Sequence, residues 1–264
     1  MNYMGGKHRQ GPKIAEFVTR ALKPGMGYYE PFCGAMGVAH QVIPAAAKAG
    51  LEIPIIGLSD VNEPLITMWR RALNGWVPPD VVIEETYNAV KSVRDPSDPM
   101  TAYCGFGMSF GSKWFGGYAR NGKGTNYAIN ASRSALLKAS VLLKASVLLK
   151  ASVLLKASVL LKACDYREVE PSNAVVYLDP PYAGRTKAHG VDFDHGPFWK
   201  YALDLVGLGN AVLVTEFTAP EGWAAIHSFG DTVVRHKDSK GKDGTVESIY
   251  VHESQLGLFD GGTA

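Results

Sequence analysis

The segment "VVYLDPPYAG", Val175 to Gly184, has the residue types that most directly suggest chemistry. Four apolar residues read as a buried strand. Asp179 ends it, and Pro180 and Pro181 keep the sheet from continuing. A strand end of this kind delivers Asp179 and Tyr182 to the carboxyl edge of a parallel sheet, where α/β proteins bind ligands. A carboxylate oxygen, a proline carbonyl and an aromatic face together suit a planar amino group on a ring. A plain Pro-Pro turn is the competing interpretation of the tetrapeptide alone.

Two further stretches place related residue types after strands. "YYEPFCGAMGV" brings Glu30 and Phe32 next to Gly34 and Gly37, whose backbones would let a nucleotide-like ligand approach. The spacing is not GxGxxG, and no phosphate-loop lysine follows. "SDVNEP" places Asp60 and Asn62 in the turn after the next apolar run. Asp60 is suited to a ribose diol; it is equally suited to capping the helix that follows, because Asp60 to Glu63 fits a capping box.

The elements that must position these residues follow an α/β rhythm. "KIAEFVTRALK", 13–23, has the apolar spacing of a helix facing a core, stopped by Pro24 and Gly25. Strand, turn and helix then occur twice, with the second strand at Ile53 to Leu58. This is the start of a doubly wound sheet. "WVPPDVVIEETYNAVKSVRDPSDP" reads as a Pro-bounded helix, and "TAYCGFGMSFGSKWFGGYARNGKG" as loops and short strands. The rhythm resumes with "ACDYREV", "NAVVYLDPPY", "FWKYALDLVGLG" and "NAVLVTEF"; "DTVVRHKDS" and "GTVESIYVHES" read as a closing hairpin. The expected division is one α/β domain from 1–74 and 163–264, a recognition insert at 75–135 and a repeat at 136–162.

The chain has 264 residues, 46% of them hydrophobic and 20% charged, which suits one large soluble domain carrying an insert. Net charge is only +2, yet from Pro99 to Cys164 nine lysines and arginines face no acid. A one-signed block of that length points to a polyanion; a merely solvated basic surface is the alternative. Cys33, Cys104 and Cys164 form neither a disulfide framework nor a zinc spacing, so a reducing cytoplasm and no metal are expected. No apolar run reads as a signal peptide or a membrane span.

Within the basic block the hexad Leu-Leu-Lys-Ala-Ser-Val runs four times from Leu136 to Val159, and a fifth copy stops at Ala163. As a helix each copy turns by about 600°, so the lysines spiral over all faces. As a strand six is commensurate with two, and one face is wholly apolar, but about 28 residues is too long for one strand. The spacing predicts a long helix whose last copy, Val159 to Ala163, becomes the strand before "CDYREV". A helix that is Leu-rich all round could also pair two copies of the chain.

Taken together and in order, these motifs resemble those of DNA adenine-N6 methyltransferases of the Dam type, including phage-like members. "YMGGK", "EPFCGAMGV", "SDVNEPLI", "CDYREV" and "DPPY" are similar to the motifs of that family, and "FGSKWFGGYAR" looks like its phage-type recognition region. The departure is Ala35-Met36, where many members have further glycines. The resemblance implies a class I methyltransferase fold, S-adenosylmethionine as cofactor and double-stranded DNA as partner. Tyr3, Lys7, Glu30, Phe32, Gly34, Gly37, Asp60, Asn62, Asp165, Tyr166 and Asp179 would hold the cofactor. Asp179, Pro180, Pro181 and Tyr182 would form the catalytic tetrad. Lys113, Arg120, Lys123 and Arg133 would meet phosphates. Trp114, Phe115 and Tyr118 would either stack on bases or form the insert's own small core. A methylase of RNA adenine or of cytosine N4 would share the pocket. A glutamine methylase would more typically carry Asn at 179, and an inactive DNA-binding regulator is the alternative outside enzymes.

Overall fold

The computed structural model describes residues 3, 5–123, 125–148, 158–182, 193–230 and 246–260, with 141–148 described as backbone only. Helix α1 (Gly11–Ala21) buries Ile14, Phe17, Val18 and Ala21, as the apolar spacing requires. Strand β1 (Gly27–Glu30) leads through the Gly34–Gly37 turn to α2 (Ala39–Lys48). Strand β2 (Ile55–Asp60) leads to α3 (Glu63–Leu73), whose N-cap is Asn62: its side chain accepts from Leu65 N at 3.0 Å. Asp60 is therefore not the cap. Helix α4 spans Glu84–Val93.

The next stretch departs from the expected loops and short strands. Helix α5 (Pro99–Ala102) runs into a π-helical turn at Tyr103–Gly107. Ala102, Tyr103, Cys104 and Phe106 are all fully buried. Gly105 is what the packing needs there, because a Cβ on it would sit 2.4 Å from the Trp114 ring. Strand-like pairing is confined to single bridges, Ser109 with Tyr118 and Arg120 with Asn126.

Helix α6 covers Ile129–Leu148, and β3 covers Ser158–Ala163; the repeat residues 149–157 lie outside the described residues. The same hexapeptide, Ser-Val-Leu-Leu-Lys-Ala, is therefore helical at 140–145 and extended at 158–163. Environment decides between them. The helical copy continues a helix already anchored upstream: α6 packs against α2 and α3, Leu136 and Ala139 are buried, and the Ser132 hydroxyl donates to Gly107 O. The last copy pairs with β2 over six residues, from Ser158 with Ile55 to Ala163 with Asp60. The Arg70 guanidinium donates to Leu161 O at 2.8 Å from the neighbouring helix. Val159, Leu161 and Ala163 face the core, while Ser158, Leu160 and Lys162 face out. Local propensity is a weak prior that such partners override.

Strands β4 (Ala174–Leu178), β5 (Ala211–Glu216), β6 (Trp223–Ser228) and β7 (Ser248–His252) complete a seven-stranded sheet in the order β3-β2-β1-β4-β5-β7-β6, with α7 (His195–Gly207) between β4 and β5. The first five in that order are parallel, and β7 is antiparallel to both neighbours. This is the doubly wound sheet with a C-terminal antiparallel hairpin that the resemblance implies. The hairpin partner differs from the expected one: β7 pairs with Trp223–Ser228, with a register shift between Ala225 and His227. "DTVVRHKDS", 231–239, lies outside the described residues. Among the described residues no helix is long and apolar enough to cross a membrane.

Candidate active site

The order of winding reverses between β1 and β4, so the crevice at their carboxyl ends is the switch point where doubly wound sheets take ligands. Acids crowd this edge. Glu30 ends β1, Asp60 ends β2, Asp165 follows β3, Asp179 follows β4, Glu216 ends β5 and Glu247 precedes β7. Such an edge suits a cationic ligand and one buried counter-cation.

That cation is Lys7. Its ammonium donates to Asp179 Oδ1 at 2.8 Å and to Gly5 O at 3.1 Å, lies 3.6 Å from Glu247 Oε1, and sits 4.6 Å from the centroid of the Tyr182 ring. Asp179 Oδ1 also accepts from Thr215 Oγ1 at 2.9 Å and from Tyr182 Oη at 3.1 Å. Thr215 spends its one hydrogen on Asp179, so the Tyr177 hydroxyl, 2.9 Å away, donates to Thr215. Among the described residues no donor reaches Asp179 Oδ2. Burial and the Asp179 charge push the Tyr182 hydroxyl up, which keeps it a donor at neutral pH. Pro180 is buried and Pro181 exposed.

The Gly34–Gly37 turn is shaped by the chain's own N-terminal segment. Gly34 has φ 45°, and a Cβ there would meet the Tyr3 ring at 3.0 Å. A Cβ on Gly37 would meet Lys7 N at 3.0 Å. These glycines thus admit Tyr3 and Lys7 to the site, a role closer to hand than the ligand approach expected of them. Met36 stands in the left-handed region, φ 56°, and such a backbone costs a bulky residue about 1 kcal/mol. Asp60 Oδ2 accepts from Gly34 N at 3.0 Å and Oδ1 from Asn62 N at 2.9 Å, so the acid ties the two turns together. Phe32 and Tyr166 stack with centroids 5.0 Å apart, joined by Phe193 at 5.9 Å from Phe32. Asp165 is held by the Arg167 guanidinium through two hydrogen bonds, at 2.7 and 2.9 Å, and by the Arg167 backbone N–H, and these keep its carboxyl below the usual range. The first repeat copy reaches this edge too: Lys138 lines a cavity of about 270 Å³ with His8, Ala35 and Gln41.

Glu30 is fully enclosed and takes the Tyr28 hydroxyl as a donor. Burial lifts its carboxyl to about 8. Between its ordinary value and about 8 the folded chain holds a proton the unfolded chain has lost, so stability falls as pH rises through that window and levels off above it. Glu30→Gln removes the titration. In denaturant melts at pH 5 and 8.5, the gap between the Gln variant and the parent should widen toward high pH by on the order of 4 kcal/mol. Parallel pH profiles would refute the buried, protonated Glu30.

The insert residues divide. Trp114 packs on Phe106 at 4.6 Å and on Phe115 at 4.8 Å, and Tyr118 packs on Tyr87 at 5.5 Å and donates to Val82 O. The three aromatics therefore form the insert's own core, not a presented stacking surface. Arg120 pairs with Glu84, and Arg133 with Asp80 at 2.8 Å. Lys113 and Lys123 are exposed, and no acid pairs with either among the described residues.

Sequence reasoning missed Glu247, Thr215, Tyr177 and Glu216. Thr215 and Glu216 stood at a predicted strand end, the one sign that could have found them.

No protein-family model matches the chain, and no curated protein does. Among solved structures it is similar to the rRNA methyltransferase AviRa of Streptomyces viridochromogenes, at 16% identity over 91% of this chain and 84% of that one, TM-score 0.39. It is also similar to SMU.472, a proposed methyltransferase solved with SAH, at 12% identity over 91% of this chain and 52% of that one, TM-score 0.33. Scores this low leave the reaction to be argued from this chain's own residues.

Proposed function

We propose that this chain is an S-adenosylmethionine-dependent DNA methyltransferase acting on N6 of an adenine flipped out of duplex DNA. The observation that carries the reading is the state of Asp179. Three donor groups lie within 3.1 Å of Oδ1, Oδ2 faces no donor among the described residues, and Pro180 and Tyr182 follow closely in the chain. An exocyclic amine has two hydrogens to give. Asp179 Oδ2 and the Pro180 carbonyl would accept them, and Tyr182 would offer its ring to the base.

The residues present fit the cofactor. Acids line the edge for a sulfonium and an ammonium, Phe32 and Tyr166 offer aromatic surface for an adenine, and Asp60 stands where a ribose diol would be met. Tyr3, Lys7, Glu30, Gly34, Gly37, Asn62 and Asp165 would complete that wall. When bound, the cofactor supplies a methyl group on a positively charged sulfur, so the protein need not form a covalent intermediate. The amine's lone pair is delocalised into the ring. Hydrogen bonds to Asp179 and Pro180 favour a tetrahedral nitrogen and stabilise the positive charge that grows on it. The nitrogen then sheds one proton, for which the Asp179 carboxylate is the adjacent acceptor. Extruding the base costs a few kcal/mol.

Lys113 and Lys123 are the insert cations free to meet phosphates; Arg120 and Arg133 must first leave their acids. Replacing Lys113 and Lys123 with Gln should reduce the slope of log binding constant against log salt by about 2, and Arg120→Gln alone by less than about 1. Slopes from fluorescence anisotropy that stay at the parent value would remove the insert lysines from the interface.

Incubation with methyl-labelled S-adenosylmethionine and unmodified duplex DNA tests the proposal. Label in the DNA is expected; label confined to RNA or to protein would overturn it.

A further inference from the structure

Glu247 is buried in the site and has no part in the reading above. Its Oε1 accepts from Tyr182 Oη at 3.0 Å and lies 3.6 Å from Lys7 Nζ. We infer that Glu247 is a positioning residue that draws Lys7 and the Tyr182 hydroxyl away from Asp179, so that the Asp179 charge is left for the methyl-accepting amine; this rests on the adenine-methylation reading.

The donor count motivates it. A carboxylate oxygen offers about two lone pairs, yet Asp179 Oδ1 has three donors within 3.1 Å. Thr215 is committed to Asp179 by its own hydrogen and by Tyr177 behind it. Tyr182 and Lys7 are not committed. Tyr182 has one hydrogen and two carboxylates in reach, and Glu247 is the second. Lys7 has a third hydrogen after Gly5 and Asp179, and Glu247 is the other anion beside it.

Position adds to this. The Lys7 ammonium lies over the Tyr182 ring, the surface a target base would stack on. For the base to enter, Lys7 must shift, and a shift toward Glu247 keeps it paired. Charge closes the case. Asp179, Glu247 and Lys7 together carry one net negative charge, and methyl transfer moves one positive charge from the sulfonium, which becomes a neutral thioether, onto the amine nitrogen. Without the Glu247 charge, Lys7 and Asp179 neutralise each other, and the charge arriving at the nitrogen is left without a partner of its own in a buried pocket, where that is costly.

The test compares Glu247→Gln, which keeps an acceptor oxygen and the size but loses the charge, with Glu247→Asp, which keeps the charge. The parent and Asp179→Ala run beside them. Glu247→Gln should lower kcat for DNA methylation about 30-fold, with KM for DNA and the calorimetric Kd for S-adenosylhomocysteine each within about threefold. Glu247→Asp should recover a clear part of kcat. A Gln variant at parental kcat, or Gln and Asp variants equally impaired, would overturn the inference while an active parent and a dead Asp179→Ala leave the function standing. A parent that labels no DNA adenine would overturn both.

Discussion

Asp179→Ala is expected to lower methyl transfer to DNA by at least about 1000-fold while leaving duplex binding within a few-fold. Asp179 is the one side chain that would both accept a hydrogen bond from the target amine and carry a charge opposite to the one that develops there. Its hold on Lys7, Thr215 and Tyr182 also shapes the pocket, so the Ala variant releases all three. Asp179→Asn separates these roles. It keeps an oxygen for those donors but loses the charge, and should remain at least about 100-fold impaired. Single-turnover rates with saturating DNA measure both variants. A rate near the parental value in either would remove Asp179 from the chemistry.

The repeat gives the second large effect. Leu136 and Leu160 each open an identical Leu-Leu-Lys-Ala tetrapeptide, yet Leu136 is fully buried and Leu160 is 51% exposed. Leu136→Ala leaves a cavity beneath α6, where the helix meets α2, α3 and the Tyr103–Gly107 turn, and should cost about 3 kcal/mol. Leu160→Ala lies on the outer face of β3, an edge strand, and should cost less than about 0.5 kcal/mol. Urea melts of the two variants check the difference. Equal costs would mean that the hexads are interchangeable and that the first copy is not built into the core.

The tetrad's placement was legible because an apolar run stopping at Asp179 and two prolines has few interpretations. The strand fate of Val159–Ala163 was legible from the even period of the hexad and from "CDYREV" beyond it, and the strand starts one residue earlier, at Ser158. Other features depended on partners distant in sequence. Glu247 meets Tyr182 only because β7 inserts between β5 and β6, a pairing that no local pattern announces. Thr215 looks like any strand residue until β5 lies beside β4. Asp60 and Asn62 both fit a cap, and only the folded turn shows Asn62 capping while Asp60 reaches back to Gly34. The insert's aromatics have no period to read, so their closure on Phe106 and Tyr87 became visible only in three dimensions.

The central claim is a methyl group placed on the exocyclic nitrogen of adenine in duplex DNA. Digestion of labelled, unmodified DNA to nucleosides after incubation with the protein, followed by chromatography and mass spectrometry, tests it most directly. The account predicts label in N6-methyldeoxyadenosine and none with Asp179→Ala. Label in N4-methyldeoxycytidine, or label only when RNA of the same sequence replaces the DNA, would contradict it.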